Sequence, residues 1–165
     1  MLGFHDLAVS LGRTGRRRRS LHRAGRTKGG SSQVEVDWSA TDSVSGRLSA
    51  ERRSSLEEYV AQIEALRALG QGYSEVSFSG SGYPCLALSF RRGYGVVHLF
   101  AEETMFLLAG DGVIADDETV LLPVLDDPDS EFTGAVVVTA DRAWAVVREF
   151  LHRGSVEGLG DWHEL

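Results

Sequence analysis

The stretch Cys85-Leu-Ala-Leu-Ser-Phe-Arg-Arg-Gly-Tyr-Gly-Val-Val-His-Leu-Phe100 decides the fold class. Two apolar runs, Cys85 to Phe90 and Gly95 to Phe100, flank Arg91-Arg-Gly-Tyr94. Each run has the length of a strand rather than a helix, and a short Gly-containing link between two such runs reads as a β-hairpin. A parallel pair would need a crossover of about a dozen residues, usually a helix, and the link has no room for one. The centre of the chain is therefore antiparallel sheet.

The pattern continues on both sides. Tyr73 to Ser79 alternates, with Tyr73, Val76 and Phe78 as its bulky residues, and Gly80-Ser-Gly82 turns the chain toward Cys85. Downstream, Thr104 to Leu108 and Thr119 to Leu125 read as strands around a loop containing Gly110-Asp-Gly112, and Phe132 to Val138 adds another. Upstream, Val34-Glu-Val-Asp-Trp38 has the period-2 alternation of a half-buried strand. The Ser-rich, polar segment Thr41 to Arg53 reads as a loop.

Two helices complete the reading. Ser54-Ser-Leu-Glu57 has the form of a capping box, in which the Ser54 hydroxyl accepts from the third helical amide and Glu57 reaches back. Leu56, Tyr59, Val60, Ile63, Leu66 and Leu69 then follow at spacings of three and four, and Gly70 suits a left-handed C-cap. The second helix carries Ala143, Trp144, Val147, Phe150 and Leu151 on one face, with Thr139 or Asp141 as its N-cap and Gly154 at its end. Leu159 to Leu165 reads as an extended segment that docks Trp162. The expected fold is α+β: an antiparallel sheet of five or six strands with two helices packed on one face.

Charge divides the chain. Residues 1–33 hold eight of its 17 basic side chains and one of its 24 acidic ones, a charge of +7; residues 34–165 carry −14. The front segment (Arg13, Arg16, Arg17, Arg18, Arg19, Arg23, Arg26 and Lys28) is rich in Gly and Ser and has Leu21 as its only large apolar residue between Gly12 and Ser32. It cannot bury enough surface to offset its ordering entropy, so it reads as a disordered Arg-rich extension of 1–33 ahead of a single domain at 34–165. No apolar run follows Arg16 to Arg19, so it is no secretory signal. Its arginines suit at most weak, nonspecific phosphate contact, and nothing organises them into a specific nucleic-acid site. The apolar runs are too short to span a bilayer, and one cysteine among 165 residues allows no internal disulfide. A reducing cytoplasm fits this composition.

Catalytic patterns do not emerge. Gly80-Ser-Gly82 lacks the further glycine of a nucleophile elbow. Cys85, behind Pro84 in an apolar strand, reads as a buried thiol. His98, His152 and His163 match no zinc spacing, and no phosphate-binding or dinucleotide glycine motif is present. The reading is therefore a non-enzyme without cofactor or metal.

One constellation is unusual. Between Gly93 and Ala140 there is no Lys or Arg, yet ten acids occur, from Glu102 to Glu131. Asp126-Asp-Pro-Asp-Ser-Glu131 has the look of a calcium loop but lacks its central Gly and distal Glu. These acids read as loop residues, either simply solvated or forming a negative surface that steers a basic partner into place.

Asp126-Asp-Pro-Asp-Ser-Glu-Phe-Thr-Gly134, Ala143-Trp-Ala-Val-Val-Arg-Glu-Phe-Leu151 with Gly154, and Leu159-Gly-Asp-Trp-His-Glu-Leu165 together resemble immunity protein family one of bacterial polymorphic toxin systems. The resemblance extends more loosely back to the helix that begins near residue 54. It implies a cytoplasmic antitoxin that binds and neutralises a cognate toxin domain, a nuclease or nucleic-acid deaminase, by direct contact. Asp116, Asp117, Glu118, Asp126, Asp127, Asp129 and Glu131 are the toxin-binding candidates. Trp162 is either an aromatic anchor or a core residue sealing the second helix. The other reading is a small-molecule-binding regulatory domain without catalysis, which requires an apolar concavity between helices and sheet.

Overall fold

A computed structural model describes residues 33–165; the Arg-rich extension, all but its last residue, lies outside the described residues. The elements in chain order are β1 (Glu35–Ala40), β2 (Arg52–Ser55), α1 (Leu56–Leu69), β3 (Gln71–Phe78), β4 (Cys85–Arg91), β5 (Tyr94–Phe100), β6 (Met105–Leu108), β7 (Thr119–Val124), β8 (Asp127–Thr133), β9 (Val138–Thr139), α2 (Ala140–Arg153) and β10 (Trp162–Glu164). The fold is α+β.

The deciding hairpin pairs from Cys85↔Phe100 to Arg91↔Tyr94 around a two-residue turn. Both turn residues, Arg92 (φ 50) and Gly93 (φ 86), are left-handed, which matches the right-handed twist of the flanking strands. Pairing continues outward, antiparallel throughout, in the order β10-β6-β5-β4-β3-β1-β2. The short β9 joins the same edge of β5 as β6: β6 takes His98 to Phe100, and β9 takes Tyr94 and Gly95.

The main sheet thus has eight strands, not five or six, and β7 and β8 form a separate two-stranded sheet. The additional strands are short or polar. Arg52–Ser55, expected to be loop and helix cap, pairs with β1. The strand expected over Phe132 to Val138 begins earlier, at Asp127, and stops at Thr133, where the chain turns before β9. The Asp127-to-Glu131 acids, expected on a loop, therefore stand on a strand.

Both helices bury their apolar stripes against one side of the main sheet. Val36, Trp38, Val76, Leu86, Leu88, Val97 and Leu99 from the strands form one cluster with Tyr59, Ile63 and Leu66 of α1 and Trp144, Val147 and Phe150 of α2. The rings of Trp38 and Tyr59 (5.5 Å), and of Tyr59 and Trp144 (6.2 Å), meet edge to face. Between the helices, the Trp144 indole donates to Glu64 at 2.7 Å, and Arg67 pairs with Asp141. Gly95 lets α2 approach β5, because a Cβ there would lie 2.8 Å from that of Ala143.

The caps agree with the sequence except for one shift of a residue. Gly70 (φ 85) and Gly154 (φ 73) are left-handed C-caps, and Thr139 caps α2 by accepting from the Arg142 amide. The N-cap of α1 is Ser55, which accepts from Glu58 at 3.2 Å, rather than Ser54. Ser54 instead accepts from the Trp38 indole at 2.8 Å.

Candidate partner-binding surface

The second face of the main sheet is covered by the β7–β8 hairpin. Strand alternation divides the hairpin's side chains: Leu122, Val124 and Phe132 are buried, while Asp127, Asp129, Glu131 and Thr133 are exposed. Beneath the hairpin lie Ala87, Ser89, Val96, His98 and Leu107, all buried. The Ser89 hydroxyl donates to the Pro123 carbonyl at 2.6 Å, and the Phe132 ring stands edge-on to the His98 ring at 5.8 Å.

Arg91, at the end of β4, fastens the hairpin to the sheet. Its guanidinium donates to the Pro128 carbonyl (2.6 Å), the Asp129 carboxylate (2.9 Å) and the Leu121 carbonyl (3.3 Å), while its Nε reaches Gln71 (3.1 Å). Two grooves border this arginine. One, of about 660 Å³, runs past Tyr94, Val120 and Leu121; the other, of about 440 Å³, lies toward Leu69 and Leu125.

The candidate acids fall into distinct local settings. Asp116, Asp117 and Glu118 lie in the turn before β7, where Glu118 accepts from the Ala115 amide at 3.1 Å. That turn is held by close backbone packing: a Cβ on Gly110 would overlap the Gly134 carbonyl, and one on Gly134 would overlap that of Ala115. Asp126 sits in the hairpin turn at the other end of β7, about 20 Å away by strand rise, and accepts from the Leu48 amide at 3.2 Å. Asp127 accepts from the Asp129 amide (3.0 Å) and the Ser130 hydroxyl (2.8 Å), which hold its carboxyl below the usual range. Asp129 is committed to Arg91. Asp116, Asp117 and Glu131 are exposed, and their carboxylates make no hydrogen bond or ion pair among the described residues.

The structure does not bring Trp162 to these acids. It is paired opposite Leu108 on the edge strand β10 and packs, half-buried, against the core on the helix side of the sheet. Its indole nitrogen is buried without a partner. The hairpin lies on the other face.

Arg91 carries no sequence signal, since a single arginine beside a turn forms no motif. Nor does Asp37, which receives Arg53 (2.8 and 3.1 Å), the Gly80 amide (2.9 Å) and the Ser79 hydroxyl (3.3 Å). Arg53 first, then the Gly80 amide, pull the Asp37 carboxyl down to about 2. His98 is buried with its Nδ1 unpartnered, and burial holds its pKa down to about 4. Its ring neighbours are Phe100 and Phe132, so no carboxylate orients it as a base. Among the described residues no group of three His, Cys, Asp or Glu side chains is placed to hold a metal, and no helix is long and apolar enough to cross a membrane. The space between helices and sheet is filled by Trp38, Tyr59, Phe150 and their neighbours.

No protein-family model matches the chain, and no curated protein matches it.

Proposed function

We propose that this chain is an immunity protein, an antitoxin that binds and neutralises the toxin of a polymorphic toxin system without catalysis of its own. The resemblance carried by Asp126 to Gly134, Ala143 to Leu151 and Leu159 to Leu165 points there, with a nuclease or nucleic-acid deaminase as the expected toxin and the cytoplasm as the place of action. The observation that carries the reading is the outward row of Asp127, Asp129 and Glu131 on β8, within a segment from Gly93 to Ala140 free of Lys and Arg. Enzymes that act on nucleic acid present basic surfaces to phosphate. A rigid acidic face competes for such a surface and accelerates encounter with it. Asp116, Asp117 and Glu131 make the strongest case for direct contact, because their charges are not committed elsewhere. Asp129 serves the fold as well as the face, and Trp162 packs against the core on the other face of the sheet.

The test is co-expression with the toxin encoded beside this chain, comparing the native protein with the triple variant Asp116→Lys, Asp117→Lys, Glu131→Lys. The expected result is an association rate lower by about ten- to a hundredfold at low ionic strength, with the difference shrinking as salt rises. Unchanged toxin protection and unchanged salt dependence would sink the assignment of this face.

A further inference from the structure

The 440 Å³ groove beside the hairpin tip has an apolar floor and an acidic rim. Leu66 and Leu69 of α1, Pro123 of β7 and Leu125 of the hairpin turn line it, with Asp42 and Asp126. Leu69 leaves 61 % of its surface open. Leu125 is held at φ 52, a left-handed conformation that costs a branched side chain energy and that here leaves Leu125 on the groove wall.

The two carboxylates are fixed without losing their charge. Asp42 Oδ1 accepts from the Val44 and Ser45 amides at 3.0 and 2.6 Å, and Asp126 Oδ1 accepts from the Leu48 amide at 3.2 Å. The Ser45 side chain also hydrogen-bonds Asp42, whose carboxyl is held below its ordinary value by these Ser45 and Val44 contacts and, more weakly, by the charge of Arg52. Asp126 Oδ2 is without a hydrogen bond among the described residues. Neutral donors orient these groups, and neither carboxylate forms an ion pair among the described residues. Arg91, the one cation on the described lining, is engaged by Asp129.

An apolar floor beneath two anchored anions matches a side chain that is aliphatic along its stem and positive at its tip. We propose that this groove seats an arginine or lysine of a basic partner protein together with a neighbouring apolar residue, extending the acidic face of β8 into a two-part docking surface. This inference rests on the partner-binding reading above and names what the partner contributes. An acidic segment would meet Asp42 and Asp126 with like charge, and a bare cation would leave the leucines uncovered.

The probe is the peptide acetyl-LRLRL-amide, titrated into the ¹⁵N-labelled full chain and followed by amide shifts. The controls are acetyl-LELEL-amide and acetyl-GRGRG-amide. The expected result is shifts at Leu69, Gly72 and Leu125, with both controls binding at least about fivefold more weakly. Leu69→Ser, at an exposed position in the last helical turn, is expected to weaken the probe roughly tenfold. Asp126→Asn, which keeps the acceptor for Leu48, gives a second variant that retains the loop. Equal binding of acetyl-GRGRG-amide, shifts confined to Glu131 and the 116–118 turn, or unchanged affinity in both variants would overturn the proposal. The peptide experiment needs no toxin, so failure of the groove is distinguishable from failure of the antitoxin reading, which the triple charge variant tests separately.

Discussion

Arg91 and Asp129 pair at 2.9 Å between two different sheets, β4 of the main sheet and β8 of the hairpin. The arginine is 19 % exposed and the aspartate 62 %, so the two partners do not contribute alike. An exposed carboxylate in an ion pair is worth at most about 1 kcal/mol. The guanidinium also satisfies two carbonyls of the hairpin, Leu121 and Pro128. Arg91→Ala is therefore expected to cost about 2 kcal/mol and Asp129→Asn about 0.5 kcal/mol. Thermal melting gives the order, and hydrogen exchange of β7 and β8 amides should rise in Arg91→Ala before that of β4. Equal losses in the two variants would contradict this division of roles.

His98 gives the fold a pH dependence of defined sign. Its ordinary value is 6.5, and burial holds it to about 4 in the folded protein. Between these values the unfolded chain takes up a proton that the folded chain refuses, so stability falls as pH drops through this window and is indifferent to His98 above it. The loss approaches roughly 3 kcal/mol near pH 4. Urea midpoints at pH 7, 6 and 5 measure it. His98→Leu should flatten the curve over this range, leaving the later loss, as Asp37 protonates between 3.8 and about 2, in place.

Gly134 and Gly112 separate crowding from backbone strain. A Cβ at Gly134 collides with the Ala115 carbonyl, whereas one at Gly112 (φ 78) meets nothing within 4 Å. Gly134→Ala is expected to cost about 3 kcal/mol and to disturb the 116–118 turn. Gly112→Ala should cost only about 1 kcal/mol, from its left-handed backbone. Chemical denaturation of the two variants decides between these magnitudes.

Ser54 and Ser55 are adjacent and chemically identical, yet their losses have different origins. Ser55→Ala removes the cap of α1 and should cost about 1 kcal/mol. Ser54→Ala strips the acceptor from the Trp38 indole and should cost about 1–3 kcal/mol. Ser54→Thr keeps a hydroxyl and should recover part of the second loss.

That pair also shows what was legible in the sequence. Ser54-x-x-Glu57 and Ser55-x-x-Glu58 both satisfy the capping pattern, and only the pairing of Arg52–Ser55 with β1 selects the second. Gly70, Gly154 and the Arg92–Gly93 turn were readable because left-handed backbone favours particular residues. Asp127-Pro-Asp-Ser-Glu131 looked like a loop because strand propensity is low for Asp and Pro. Its partner β7 and the tether from Arg91 override that preference, and neither carries a local signature. The acidic surface was visible as composition, but the engagement of Asp129 by Arg91, 38 residues away, and of Asp126 by the Leu48 amide, 78 residues away, has no local signature. Trp162 was ambiguous for the same reason: the face an edge strand presents follows from its register with β6.

The alternation along β8 has an evolutionary consequence. Phe132 is bound to the sheet beneath it, while Asp127 and Glu131 touch nothing that the core requires. Substitution at those outward positions leaves the inward register unchanged. A partner-binding role on this face would let positions 127 and 131 be rewritten over generations while Asp129 keeps the Arg91 tether and the rest of the scaffold is inherited intact.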